Sequence, residues 1–200
     1  MEKQSTEEKI KAAARKLFIE KGFAATKTRD IAEEADINIA LMNYYFKSKE
    51  KLFDAILEEA FQYFPGKLIS ILEEEISIEE KVTKFVTTHS EMLKSNPLVP
   101  IFVLSELRNN PQKFVEKIGM HEILTDGVLV NQLREESAKG NIKKISPIHF
   151  LINMISLTVF PFIIQPALLT LENLNTDIFN NLIDEREQMI PEILMNQIRI

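Results

Sequence analysis

The chain of 200 residues contains no cysteine. That removes disulfide scaffolds, thiolate nucleophiles and zinc-thiolate sites together, and it suits a cytoplasmic location, which is the expected one. Glycine is scarce, with five in all. No Gly-x-Gly-x-x-Gly, phosphate-cradling loop or serine-centred nucleophile elbow occurs, so neither a nucleotide cofactor nor any other is expected. The three histidines, His89, His121 and His149, form no His-x-x-x-His or Glu-x-x-His pair, and no metal site is signalled. The longest apolar stretch, residues 148–171, is interrupted by His149, Asn153, Pro161, Gln165 and Pro166, so no membrane partner is expected. The opening MEKQSTEEKIK is charged and lacks the apolar centre of a secretory signal. These absences leave an enzyme as the poorest reading, and none is expected.

What remains is ordinary in bulk, 45% hydrophobic and 27% charged, with a net charge of −6. The charge is unevenly distributed. Residues 1–55 carry eleven Lys+Arg against ten Asp+Glu, while residues 56–200 carry 13 against 20, a net −7. A near-neutral unit attached to an acidic body can still bind phosphate, because charge attraction is local and screened within about 10 Å at ordinary salt. Proline divides the chain at a similar place, since none of its eight precedes Pro65.

Periods of 3.6 residues dominate over alternation, so the fold class is all-α. Ile10, Ala13, Ala14, Leu17 and Phe18 form one stripe of a first helix over residues 6–21, with Thr6 as N-cap and Gly22 as its stop. A short second helix follows Thr26 and ends near Glu34. A tight turn at Ala35-Asp36-Ile37 comes next, with Asp36 left-handed, and Asn38 caps a third helix over residues 39–46. Ser48 caps a fourth, expected to kink or break at Pro65-Gly66. Further on, Ser77-x-x-Glu80 is a capping box for a helix reaching Ser95. Asn96-Pro97, Asn110-Pro111 and Ser146-Pro147 mark boundaries, one long segment runs from Pro111 to Gly140-Asn141, and a last helix covers residues 176–198, bent or interrupted near Pro191.

Two helices this short are not stable alone. Held by the first and fourth, they make a helix-turn-helix, whose second short helix enters the major groove of DNA. Its outer side would carry Asn38, Ile39, Asn43 and Tyr44, with small Ala40 allowing close approach and Met42, Tyr45 and Phe46 turned at least partly inward. Asparagine can pair with adenine edges and isoleucine can meet a thymine methyl. Thr26 and Lys27 at one helix start, and Lys47, Ser48 and Lys49 at another, are the candidate contacts to phosphate, and Thr28 and Arg29 complete the candidate DNA-binding set.

Ala14, Leu17-Phe18, Gly22-Phe23, Thr26, Ile31-Ala32, Ala35, Asn38, Ala40, Tyr45-Phe46, Ser48-Lys49-Glu50 and Leu52, in this order and spacing, closely resemble the DNA-binding domain of the TetR family of bacterial regulators. Asp36 departs from a usual turn glycine, Thr28 from an apolar residue and Asn43 from a frequent aromatic. The resemblance implies a DNA-binding domain at residues 1–48 and a helical ligand-binding and dimerisation domain at 49–200. It also implies phosphate or groove contacts by Thr26, Lys27, Tyr45 and Lys49, and a repressor released from a palindromic operator by a small molecule. The apolar richness of residues 148–171 and 176–198 independently suggests a homodimer through the last two long helices. Phe85, His89, Met92, Phe102, Met120, His121 and Phe162, with polar Glu106, Arg108 and Gln165, are the candidates for an apolar or aromatic effector's pocket, although such a stripe equally describes plain core. The competing reading is a helical partner-binding protein that has lost its operator, which the near-neutral charge of residues 1–55 favours.

Overall fold

A computed structural model describes residues 5–97, 99–109 and 111–200, and the described residues form eleven helices and no strand. They divide into two compact units, one ending at Gln62 and one beginning at Tyr63. The division falls inside the fourth helix and not at residue 48. The reason is burial: Leu52 and Ile56, on the first turns of that helix, are part of the smaller unit's core.

The smaller unit begins with α1 (Thr6–Lys21). Its cap is Ser5, one residue earlier than the expected Thr6, with the Ser5 hydroxyl accepting from the Glu8 N–H at 3.2 Å. Gly22 ends it at φ +79°, in the region that favours glycine. Next come α2 (Thr28–Glu34) and α3 (Ile39–Phe46), joined by a turn in which Asp36 takes φ +53°. Asp tolerates that conformation because its short side chain can bond locally. Asn38 caps α3 through a 2.8 Å bond from the Leu41 N–H. Then α4 (Lys49–Leu72) starts with Ser48 accepting from the Lys51 N–H at 3.2 Å. The expected break at Pro65-Gly66 does not occur, for α4 runs through both residues. A proline forfeits one backbone bond, which neighbouring turns can outlast. The stripe Ile10, Ala14, Leu17 and Phe18 is buried with Ile31, Met42 and Leu52. At its edge the rings of Phe18, Phe23 and Phe53 cluster with centroids 4.6–5.3 Å apart.

The larger unit takes in the end of α4 and then α5 (Ile78–Ser95), opened by the Ser77–Glu80 capping box, α6 (Val99–Asn109), α7 (Pro111–Ile118), α8 (Met120–Asp126) and α9 (Val128–Ala138). It closes with α10 (Pro147–Leu168) and α11 (Thr176–Ile198). The single long segment expected from Pro111 onward is instead three helices, parted at Gly119 (φ +62°) and Gly127. At Gly127 a Cβ would lie 2.5 Å from the Ile123 carbonyl oxygen, so only glycine permits that corner. Pro191 does not interrupt α11, being buried between Ile190 and Leu194. The core joins α5, α9, α10 and α11 through Val82, Phe85, Leu133, Phe150, Met154 and Leu194.

By length and composition alone, α10 is apolar enough to cross a membrane, despite its interruptions. Phe150, Leu151, Met154 and Phe162 face the core, while Ile148, Ile152, Ile155 and Phe160 are exposed, Ile152 to 56% and Phe160 to 57%. On α11, Ile178, Met189 and Ile193 are exposed as well. The last two helices therefore carry apolar residues on their outer sides in addition to their share of the core.

Candidate nucleic-acid interface

On α2 and α3, Ile31, Ala32, Ala35, Met42 and Phe46 are inward and buried. That anchoring leaves Asn38, Ile39, Ala40, Asn43, Tyr44, Tyr45 and Lys47 exposed. Tyr44 is 80% exposed and Tyr45 40%, their rings edge to face at 5.5 Å. Tyr45 is thus turned partly inward, as expected, and still open to solvent: at 100° per residue it lies about 60° from Met42 and about 100° from Phe46 around the helix. Lys47 closes α3 at φ +43° with its side chain in solvent.

The residues expected to flank this face divide. Lys27 and Arg29 are exposed and Thr28 is half-buried. Thr26 is only 1% exposed, and its hydroxyl lies 2.8 Å from the Gly22 carbonyl and 3.2 Å from that of Leu17. It fastens the loop after α1, so its side chain is committed within the fold. Lys49 is half-buried and donates to the carbonyls of Phe23 (2.7 Å) and Thr26 (3.0 Å), with its ammonium 4.2 Å from the Phe23 ring centroid. Those bonds occupy two of its three protons and leave one for a phosphate. Both residues pin the loop that delivers the chain to α2.

One device was not foreseen from the sequence. Lys11 lies within the buried side of α1, where it meets Glu7 (2.7 Å), Glu8 (3.3 Å) and Glu59 of α4, and Arg15 joins Glu59 at 2.8 Å. Burial works against its charge, but the three carboxylates prevail and raise its pKa. The Glu7–Lys11 spacing of four was visible as a helix pair. The partner 48 residues away was not.

The effector candidates are scattered. Phe85, His89 and Phe162 are core side chains: the Phe85 and His89 rings meet at 5.2 Å, and Phe162 meets Phe179 at 5.6 Å. Met92, Met120 and Gln165 are half-buried, and His121 and Arg108 are exposed. The side chains of Phe102 and Glu106 lie outside the described residues. A groove of about 740 Å³ opens elsewhere in this unit, lined among others by Glu75, Ile78, Glu79, Gln132, Glu136 and Ile198, and by none of the candidates.

His89 has a consequence for pH. Its Nδ1 lies 3.0 Å from the Thr158 hydroxyl, and burial pushes its pKa down to about 4 from an ordinary 6.5. Between those values the unfolded chain binds the extra proton, so this contribution to stability is complete above about pH 6.5 and is lost as pH falls toward 4. At pH 5 the loss is about 2 kcal/mol, a drop in melting temperature of roughly 4–8 °C relative to pH 7.5. Thermal melts of the wild type and His89→Asn at both pH values check this: the wild type should lose that much more than the variant. Equal losses would show that His89 does not titrate as its burial requires.

Comparison with known proteins decides what the exposed α3 belongs to. Residues 10–56 match the family model for bacterial regulatory proteins of the tetR family. Those residues therefore form a DNA-binding domain of the TetR type. The chain is a DNA-binding transcriptional regulator, as are its relatives by name. YttP of Bacillus subtilis, a probable HTH-type transcriptional regulator, is 27% identical over 82% of this chain and 80% of its own length. The HTH-type transcriptional repressor KstR2 of Mycolicibacterium smegmatis is 26% identical over 62% of this chain and 67% of its own. GusR of Salmonella enterica shares the fold with a TM-score of 0.57 at 18% identity, covering 98% of this chain and 97% of that one. Within that matched domain, α2 and α3 are the helix-turn-helix, and Met42 and Phe46 are the buried anchors of α3.

Proposed function

We propose that this regulator is a cytoplasmic homodimeric repressor that grips a palindromic operator and is released by a small apolar or aromatic molecule. The observation that carries the reading is the outer face of α3, where Asn38, Ile39, Ala40, Asn43 and Tyr44 stand in solvent while Met42 and Phe46 are buried. In this reading those five read or approach base edges. Tyr45, Lys47, Lys27 and Arg29, with the half-buried Thr28 and the remaining proton of Lys49, meet phosphates, and Thr26 holds their loop. The apolar outer sides of α10 and α11 support a twofold partner, which would set the two α3 helices about 34 Å apart, one DNA turn. One relative's name, repressor, supports the direction of control.

Release requires a coupling of only about 1–3 kcal/mol between effector and DNA, a 5–150-fold change in affinity. In this reading α4, which runs through Pro65, carries the coupling.

Fluorescence-anisotropy titrations against fragments from around the protein's own gene, at several salt concentrations, test the reading. Selective binding that weakens steeply with salt is expected. Lys47→Ala should lower affinity for every sequence and reduce the slope of log K against log salt by about 1. Sequence-blind binding to these fragments, followed by failure to enrich any sequence from a random pool, would instead favour a partner-binding protein.

A further inference from the structure

The exposed face of α3 is unequal in what it can offer a base. Asn38 looks like a reader, but its carbonyl oxygen serves as the helix cap on the Leu41 N–H at 2.8 Å. That bond fixes the oxygen toward the helix backbone, which leaves its N–H₂ donors better placed than its acceptor, and a donor alone meets adenine N7, guanine N7 or O6 and thymine O4 without distinguishing them. Asn43 differs. Its side chain is exposed and makes no hydrogen bond among the described residues, so donor and acceptor are both free. Presented together, they match the N7 acceptor and N6 donor of adenine, a pairing no other base offers in the major groove. One turn earlier on the same side stands Ile39, 39% exposed, an apolar group suited to the C5 methyl of thymine. Four residues of helix rise about 6 Å, so the two side chains reach base pairs one or two steps apart. Between Ile39 and Phe46 there is no arginine or lysine, the side chains that take guanine by its O6 and N7.

Building on the reading of α3 as the base-reading helix, we infer that Asn43 is the specificity-determining residue of this regulator. It reads one adenine in each half-site bidentately, with Ile39 set against a thymine methyl one or two pairs away. The pairs read by Asn43 and Ile39 are therefore A·T, and a bidentate contact to guanine needs Arg29, on α2, or Lys47, after α3.

Selection from a random duplex pool with the full-length wild type and with Asn43→Ala tests this. Thermal melts show that both are folded, as an exposed position allows. The wild type should enrich a motif with an invariant A·T pair in each half-site. Asn43→Ala should enrich the same motif with that one pair relaxed, and replacing the pair by G·C should cost the wild type about 5–150-fold in affinity but the variant little. Two results overturn the inference while leaving α3 as the reading helix: an unchanged motif with affinity lowered for every sequence, which would make Asn43 a phosphate contact, or relaxation at a G·C pair. If the folded wild type enriches nothing, the operator-binding reading falls and the inference with it.

Discussion

Replacing Phe18 by Ala is expected to unfold the DNA-binding unit and leave the larger unit folded. Phe18 is fully buried in α1, where it touches both α4 and the loop before α2, its ring centroid 5.3 Å from each of Phe23 and Phe53. Removing a buried phenyl ring costs about 3–5 kcal/mol, partly through lost burial and partly through the cavity left behind. A unit of this size has a total stability of only about 3–9 kcal/mol, and it has no disulfide to limit the unfolded chain. Most of the margin would vanish with one side chain. The core of the larger unit, built from α5, α9, α10 and α11, contains no atom of Phe18. Heating the full-length variant should therefore show an early loss of the helicity of α1–α3 and a later transition near that of the wild type. DNA binding should be lost at 37 °C, and limited proteolysis should trim the chain before α5. A single transition shifted by less than about 1 kcal/mol, with DNA binding intact, would mean that the three-ring cluster does not hold the unit.

The helix-turn-helix was legible because each of its boundaries is fixed by the residues beside it. Gly22 at the end of α1, Asp36 in the turn and Asn38 ahead of α3 act within four residues of their positions, so the chain displays them without any tertiary knowledge. The segment from Pro111 to Gly140 was misread as one element for the complementary reason. Gly127 forms a corner because the Ile123 carbonyl lies where its Cβ would be, a contact that exists only once the chain has turned. Pro65 and Pro191 misled in the other direction. A proline's missing bond is a local loss, and whether the helix survives depends on what its flanking turns bury, as Ile190 and Leu194 do around Pro191.

The site divides along the same line. That α3 faces outward follows from Met42 and Phe46 standing four apart, and it was readable. That Thr26 and Lys49 are turned toward the loop carbonyls was not, since a threonine and a lysine at a helix start look alike whether they meet a phosphate or a carbonyl. For the same reason Phe85, His89 and Phe162 could not be told from pocket residues: the stripe that lines a cavity and the stripe that fills a core have one spacing. The groove at Ile78 and Ile198 draws on residues 120 apart in the chain, and no local pattern announces it.

The double replacement of Ile152 and Ile155 by Glu is expected to convert the protein to a monomer and to lower operator affinity by at least about 100-fold. Both residues lie on the outer side of α10, 56% and 46% exposed, so the larger unit has no need of them and the variant should keep its helicity and melting behaviour. With Ile148 they make an apolar face along one helix, and Ile178, Met189 and Ile193 provide another along α11. A twofold axis brings such a surface against its own copy, so each substitution acts twice. Four isoleucines leaving a dry interface forfeit about 1.5–3 kcal/mol each, and four carboxylates forced together add repulsion and desolvation. Standard interfaces bury about 800 Å² on each partner and rarely survive a loss of that size. A monomer holds one half-site where the dimer holds two, which is why DNA affinity should fall although no residue of α3 has changed. Sedimentation velocity at micromolar concentration reads the first outcome and anisotropy on the operator the second. If the double variant sediments as a dimer, the outer side of α10 is not the interface. If it is a monomer that binds the operator as tightly as the wild type does, the protein does not read DNA as a symmetric pair.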